Sequence, residues 1–118
     1  MKTIFRLAYL VIIISIAFGC TESGFDSEAT VNSNVTFKIW GNCEMCKETI
    51  ETSLKVGGVK MADWNKDTKM ITVEFDSTKI NLDHIQKNVA AVGYDNEKYK
   101  GDDSAYKNLP ECCQYQRK

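Results

Sequence analysis

The chain of 118 residues is short of the residue types on which several common enzyme classes depend. It has a single histidine, His84, and a single proline, Pro110. It shows no Ser-His-Asp set, no carboxylate pair arranged for acid–base work and no glycine-rich phosphate loop. A thioredoxin-type oxidoreductase needs a cis-proline facing its cysteine pair, whereas Pro110 lies near the end of the chain. The sequence therefore favours a binding protein over these classes of enzyme.

The chain also lacks an excess of basic residues. It has 15 Lys and Arg against 16 Asp and Glu, a formal net charge of −1. Two of the basic residues, Lys2 and Arg6, precede the apolar run near the start of the chain. A nucleic-acid-binding surface needs a clear positive excess, so we expect no nucleic-acid partner.

No apolar run is long enough to cross a bilayer comfortably as a helix. The longest, Leu7–Phe18, is interrupted only by Ser15, and a hydrocarbon core of about 30 Å calls for about 20 residues. A short apolar run after basic residues is typical of a secretory signal, which we place at residues 1–19.

The Gly19-Cys20 junction resembles the lipobox of bacterial lipoproteins, in which the cysteine is acylated after cleavage. This resemblance implies lipidation at Cys20 and a membrane-anchored protein facing the periplasm or the cell exterior. Residues 20–34 are polar and acidic, which predicts a flexible tether between the lipid and a folded domain.

Residues 35–100 carry the periodic patterns of one small α+β domain. Val35–Trp40 alternates apolar and polar residues, which predicts a half-buried strand. The apolar residues Cys46, Ile50 and Leu54 follow at intervals of four, which predicts one face of a helix. The strand-to-helix junction therefore falls at the segment that carries two cysteines, Cys43 and Cys46.

The rest of the domain repeats this alternation of strands and helices. Val59–Asn65 and Met70–Phe75 predict a hairpin, and a second helix follows with Asn81 or Asp83 as its cap. Tyr94–Tyr99 is a weaker fourth strand. The order predicts a ferredoxin-like βαββαβ sandwich, with a four-stranded antiparallel sheet and two helices on one face. Residues 101–118 show no lasting period and are predicted to be a polar, cysteine-containing tail.

With these elements in place, the chain resembles the heavy-metal-associated domain. The matching features are Cys-Glu-Met-Cys at residues 43–46 after the first strand, "GGV" before the second, "VEFD" at the end of the third, and "AVGY" after the second helix. Copper chaperones, the N-terminal modules of metal-pumping ATPases and periplasmic mercury-binding proteins belong to that family. Where this family has Met-Thr before the first cysteine, the chain has Gly41-Asn42. Trp40 or Met45 could fill the space of the missing methionine.

The resemblance implies a soft-metal site. Cys43 and Cys46 would bind the ion, with Tyr94 shielding the site or donating a hydrogen bond to a sulfur. Thiolates select soft ions, so copper(I) is the first expectation, with mercury(II) and zinc as alternatives. The resemblance also implies handover of the ion to a metal transporter or to another metal-binding domain.

Two further cysteines, Cys112 and Cys113, leave several interpretations open. The chain after Lys100 is long enough to fold back over the first pair, so these residues could supply a third and fourth thiolate. Their thiols could instead pair with each other or with another chain. For the chain as a whole, the alternatives to a metal-binding protein are a thiol-disulfide oxidoreductase and a lipoprotein with structural disulfides, because exported cysteines often oxidise.

Overall fold

The computed structural model describes residues 31–118. The predicted signal (residues 1–19), the predicted lipidation site Cys20 and most of the predicted tether lie outside the described residues. Among the helices of residues 31–118, none has the length and apolar character that crossing a membrane would require.

Three antiparallel strands form the sheet, namely β1 (Asn32–Lys38), β2 (Val59–Trp64) and β3 (Met70–Asp76). The strand order is β1-β3-β2, so the hairpin partner β3 lies in the centre. Ile71, Val73 and Phe75 of β3 are all buried, as their alternation predicts. β1 begins three residues before the predicted start, since Asn32 pairs with Asp76.

Two helices supply the other half of the core, α1 (Glu44–Ser53) and α2 (Leu82–Ala91). α1 buries Ile50 and α2 buries Ile85 and Val89, and these side chains join the sheet residues in one apolar cluster. The side chain of Asn81 caps α2 by accepting a hydrogen bond from the N–H of His84 at 2.9 Å. The cap predicted for this helix is therefore confirmed.

The predicted four-stranded sheet is wrong for residues 31–118, because Tyr94–Tyr99 does not form a strand. The N–H of Trp40 donates to the carbonyl of Asp95 at 2.9 Å, and Ile39 makes a single antiparallel bridge with Asn96. Asp95 and Asn96 lie where the predicted fourth strand would begin beside the end of β1. The backbone pairing stops after this one bridge.

Side-chain hydrogen bonds end that pairing. The carbonyl oxygen of the Asn96 side chain accepts from the N–H groups of Lys98 (3.1 Å) and Tyr99 (3.0 Å), which turns the chain away from β1. The carboxylate of Glu97 accepts from the N–H of Lys38 at 3.0 Å, so a side chain takes the place of a strand at this edge. A local turn signal has thus overridden a weak strand pattern.

The C-terminal segment (residues 101–118) is folded, although the sequence predicts a tail without regular structure. It contains a short helix α3 (Asp103–Lys107) and a 3₁₀ turn (Glu111–Cys113). Gly93, after α2, has a φ of 96°, and a Cβ on it would lie 2.7 Å from the backbone nitrogen of Tyr106. The short helix therefore packs directly on the backbone at the end of α2.

Tyr115 attaches this segment to the domain. Its ring is buried and stacks on Tyr94 with a centroid separation of 5.5 Å. Its hydroxyl donates to the carbonyl of Gly93 and accepts from the N–H of Asp95, each at 2.7 Å. One side chain thus satisfies the backbone on both sides of Tyr94.

Replacing Tyr115 by phenylalanine removes these two hydrogen bonds and leaves a buried N–H and a buried C=O unsatisfied. We expect Tyr115→Phe to lower the free energy of unfolding by about 1–3 kcal/mol, measured by urea denaturation of the reduced protein. Tyr99→Phe is the matched control, since the Tyr99 hydroxyl bonds to the surface carboxylate of Asp83, and it should cost less. Equal stability of Tyr115→Phe and the unchanged chain would contradict the role given to Tyr115.

Candidate metal centre

The loop between β1 and α1 places two cysteines at the start of a helix. Cys43 is the N-cap of α1 and is partly exposed, while Cys46 lies in the first turn and is fully buried. The sulfur of Cys46 accepts from the N–H groups of Asn42 (3.3 Å) and Cys43 (3.5 Å). These bonds satisfy donors at the helix start and fix the position of the buried sulfur.

Trp64, at the end of β2, lies directly beneath this loop. Its indole N–H donates to the carbonyls of Ile39 (3.1 Å) and Lys69 (3.2 Å), which fixes the ring in the core. A Cβ on Gly41 would lie 2.9 Å from two ring atoms of Trp64. The loop can therefore rest on the indole only because residue 41 is glycine.

The C-terminal segment brings two more sulfur atoms to the same place. The sulfur of Cys43 lies 3.6 Å from that of Cys46, 3.5 Å from that of Cys112 and 3.7 Å from that of Cys113. The sulfurs of Cys112 and Cys113 are 3.9 Å apart. The sulfurs of Cys43, Cys112 and Cys113 thus lie within 4.8 Å of one another, and Cys46 joins them through its contact with Cys43.

A thioether lies at the edge of this cluster. The sulfur of Met45 is 3.5 Å from that of Cys112, and the Met45 side chain is half exposed. A shallow cleft open to solvent runs past Cys43, Met45 and Cys112, with Lys66 on its other wall. A small ion can therefore approach the sulfurs from solvent along this cleft.

Tyr94 is the aromatic residue next to the buried sulfurs. It is fully buried, and its hydroxyl is the one buried side-chain polar atom of residues 31–118 without a hydrogen-bond partner. Burial raises the pKa of Tyr94, and the neighbouring thiols of Cys46 and Cys113 raise it further. The phenol thus stays protonated and has a hydrogen free to donate.

The sulfur cluster favours ionisation of Cys43 over that of Cys112 and Cys113. Burial opposes the ionisation of Cys43, but hydrogen bonds from the Cys46 backbone and from the thiols of Cys112, Cys46 and Cys113 outweigh it and lower its pKa to about 7. The hydrogen bond with Cys43 raises the pKa of Cys112, while burial is the main cause that raises the pKa of Cys113. Cys43 is therefore the sulfur most ready to bind a cation at neutral pH.

Nearby lysines contribute little to this site. The ammonium of Lys47 donates to Asp63 at 2.6 Å and to the carbonyl of Trp64 at 2.8 Å, so it faces the sheet. Lys66 forms an exposed ion pair with Glu44 at 3.0 Å. The lowered pKa of Cys43 therefore comes from its hydrogen bonds and not from a neighbouring positive charge.

The sequence of this chain is similar to that of a known copper chaperone. A copper chaperone CopZ, found with the same match in two strains of Staphylococcus epidermidis, is 31% identical over 55 residues, which cover 46% of this chain and 81% of the chaperone. The chain belongs to the heavy-metal-associated domain family. No family model matches the sequence.

Solved structures agree with the family assignment. Oxidised MerP from Ralstonia metallidurans CH34 is 29% identical with a TM-score of 0.54, over 57% of this chain and 96% of that protein. The Cu(I)-loaded N-terminal domain of a potential copper-translocating P-type ATPase from Bacillus subtilis is 27% identical with a TM-score of 0.54, over 64% of this chain and 96% of that domain. These matches confirm the ferredoxin-like fold of the heavy-metal-associated family, apart from the fourth strand.

Sequence reasoning missed two residues that shape this heavy-metal-associated domain. It assigned the space beneath the loop to Trp40 or Met45, whereas Trp64 lies there. Trp64 shares an alternating pattern with Ala62, and this inward-facing pair was the signal available in the sequence. It also missed Tyr115, since the apolar residues of the C-terminal segment follow no period.

The lowered pKa of Cys43 can be checked by alkylation, because only the thiolate reacts. We expect the rate of Cys43 modification by iodoacetamide, followed by peptide mass spectrometry of metal-free protein, to reach half its maximum near pH 7. Cys112→Ala removes one of the hydrogen bonds to this sulfur, so the midpoint should rise toward the ordinary value of about 8.5. Gln116→Ser, in an exposed position, should leave it unchanged. A midpoint near 8.5 in the unchanged chain would contradict the assignment.

Proposed function

We propose that this protein binds a soft metal ion through the thiolates of Cys43 and Cys46, and that it captures, buffers or hands on that ion. Copper(I) is the first candidate, with mercury(II) and zinc as alternatives. In this proposal the ion is cargo, and the chain carries out no catalysis.

The observation that carries the proposal is the convergence of thiols at the start of α1. The sulfurs of Cys43 and Cys46 are 3.6 Å apart, and two backbone N–H groups hold the buried sulfur in place. Hydrogen bonds within the cluster lower the pKa of Cys43, so a cation displaces its proton more easily than that of an ordinary thiol. The Cys43–Cys46 pair is therefore arranged to accept a thiophilic ion from solvent.

The choice of metal rests on ligand softness and on the relatives. Thiolates and thioethers select copper(I), zinc and similar ions over calcium or magnesium. The Staphylococcus relative is a copper chaperone, and the Bacillus domain was solved with Cu(I) bound. These two points favour copper(I).

The relatives also suggest a partner. Since the Bacillus domain belongs to a potential copper-translocating P-type ATPase, a transporter of that kind is the partner we propose, or another metal-binding domain. Handover would proceed by ligand exchange, in which a partner thiolate forms a bond to the ion as a thiolate of this chain releases it.

Metal binding is tested by loading the reduced full chain with Cu(I) in the absence of oxygen and measuring affinity by competition with a chromophoric chelator. We expect stable binding in the unchanged protein and a loss of at least about 100-fold in affinity in the Cys43→Ser/Cys46→Ser variant. Native mass spectrometry reports how many ions each chain retains.

The matched control is Cys20→Ser in a chain expressed without acylation, which removes the fifth cysteine and should leave Cu(I) affinity unchanged. A reduced chain that retains no Cu(I), Hg(II) or Zn(II) would overturn the proposal. A chain recovered two mass units light for each cysteine pair, with no metal uptake after reduction, would support the structural-disulfide alternative. Turnover of a protein disulfide would instead support the oxidoreductase alternative.

We further propose that the protein is held at a membrane by a lipid on Cys20 and faces the periplasm or the cell exterior. The support is the sequence of residues 1–20, where a basic start and an apolar run precede Gly19-Cys20. In a bacterial host, Cys20→Ser should prevent acylation and shift the protein out of the membrane fraction, as followed by fractionation and fatty-acid labelling. Cys112→Ser is the control and should stay with the membrane. An unchanged distribution of Cys20→Ser would contradict the lipid anchor.

A further inference from the structure

The C-terminal segment is attached to the domain on both sides of Cys112 and Cys113. Before the two cysteines, a Cβ on Gly101 would lie 2.5 Å from the carbonyl carbon of Gly93, so the two backbones are in direct contact. After them, Tyr115 is buried against Tyr94 and hydrogen-bonds to the backbone on both sides of it.

An ion pair strengthens the second attachment. The guanidinium of Arg117 donates to the fully buried carboxylate of Asp95 at 2.8 Å and to Asp103 at 2.6 Å. Burial alone would raise the pKa of Asp95, but Arg117 and the N–H groups of Gly101 and Lys118 outweigh it and hold the pKa low. A buried carboxylate needs such a partner, so the segment is part of the folded domain.

The turn between these attachments directs two thiols at the Cys43–Cys46 pair. The N–H of Cys113 donates to the carbonyl of Pro110 at 2.8 Å, which closes the 3₁₀ turn. Cys113 is then fully buried, and Cys112 is exposed beside Met45. The two sulfurs differ in exposure but are 3.9 Å apart, and both contact the sulfur of Cys43.

The distances between the sulfurs match a known coordination geometry. For metal–sulfur bonds of about 2.3 Å, a tetrahedral site places its sulfurs about 3.8 Å apart and a linear site about 4.6 Å apart. The four measured separations run from 3.5 to 3.9 Å. Each is close to the edge of such a tetrahedron, and the sulfurs of Cys43, Cys112 and Cys113 all lie within 4.8 Å of one another. Cys46 contacts this group through Cys43 alone, so a rotation of its side chain toward the C-terminal segment is needed to complete four-fold coordination. The Cys43–Cys46 separation of 3.6 Å is in turn too short for a linear pair.

The unpartnered hydroxyl of Tyr94 points to the same conclusion. It is buried beside the thiols of Cys46 and Cys113, one from each cysteine pair. A buried hydroxyl without a partner is costly, and a metal-bound thiolate is a strong acceptor for it. A site that contains both sulfurs would therefore give the Tyr94 hydroxyl an acceptor.

We propose that Cys112 and Cys113 complete the metal site, so that the ion is held by four sulfurs, two from the loop and two from the C-terminal segment. This inference rests on the proposed function and extends it. Each bond from sulfur to metal replaces a bond from sulfur to hydrogen, and the released protons pass to water. Such a site accepts Zn(II), which favours four ligands in a tetrahedron, as well as Cu(I).

The test is to count sulfur ligands by X-ray absorption at the zinc edge, with Zn(II) loaded alone on the reduced full chain. We expect four sulfurs at about 2.3 Å in the unchanged protein and two in Cys112→Ser/Cys113→Ser, with oxygen or nitrogen taking the vacated positions. The Zn(II) affinity of this variant should fall by at least about 100-fold, while Cu(I), which accepts two sulfurs, should lose less.

Two further variants separate a ligand role from a folding defect. Cys112 is exposed, so Cys112→Ser leaves the core intact and should reduce the count to three. Asn108→Ser/Gln116→Ser changes two exposed polar residues of the same segment and should leave the count at four. An unchanged sulfur count and Zn(II) affinity in Cys112→Ser/Cys113→Ser would overturn the inference while leaving the proposed function intact.

The proposed function itself fails by a different result. If the unchanged chain retains neither Zn(II) nor Cu(I), both the four-sulfur site and metal binding at Cys43 and Cys46 are overturned. If Cys43→Ser/Cys46→Ser retains Zn(II) at full affinity, the Cys43–Cys46 pair is not part of the site and the four-sulfur arrangement is equally excluded.

Discussion

The hydroxyl of Tyr115 is the contact on which the arrangement of the sulfur-bearing end of the molecule depends. It bonds to the carbonyl of Gly93 and to the N–H of Asp95, and so satisfies the backbone around Tyr94. Because Tyr115 lies two residues after Cys113, the bond that anchors the phenol also sets the reach of the 3₁₀ turn. The positions of Cys112 and Cys113 beside Cys43 therefore depend on an aromatic residue that is not itself a candidate ligand.

The part of the fold that the sequence predicts well is the part with a strong local period. The alternation in Met70–Phe75 and the four-residue spacing of Cys46, Ile50 and Leu54 predict the correct elements, since one apolar face per element leaves few ways to build a single core. Asn96 shows where this reasoning fails: its side chain accepts two backbone N–H groups and turns the chain out of an expected strand. Turn chemistry of one residue outweighs a weak pattern of several.

Some residues of the candidate site are likewise predictable from local sequence, and others are not. Cys43 and Cys46 are recognisable from their spacing after a strand, because that spacing places both at a helix start. The position of Cys112 depends on contacts between residues far apart in the chain, and no local pattern records them. Trp64 is predictable only in part. The alternation of β2 indicates that its side chain faces inward, but no local pattern indicates its contact with Gly41.

The different exposure of the four sulfurs suggests an order in which a partner thiolate would displace them from the ion. Cys112 is exposed, Cys43 is partly exposed, and Cys46 and Cys113 are buried. An incoming thiolate meets the exposed sulfur first, so Cys112, rather than Cys43, is the ligand that a partner would displace first. The buried sulfurs would hold the ion until the C-terminal turn lifts, and in the loaded site that turn would be held both by Tyr115 and by the bonds from Cys112 and Cys113 to the ion. Release from such a site would therefore depend on the packing of the segment, through Tyr115, as well as on the affinity of sulfur for the ion.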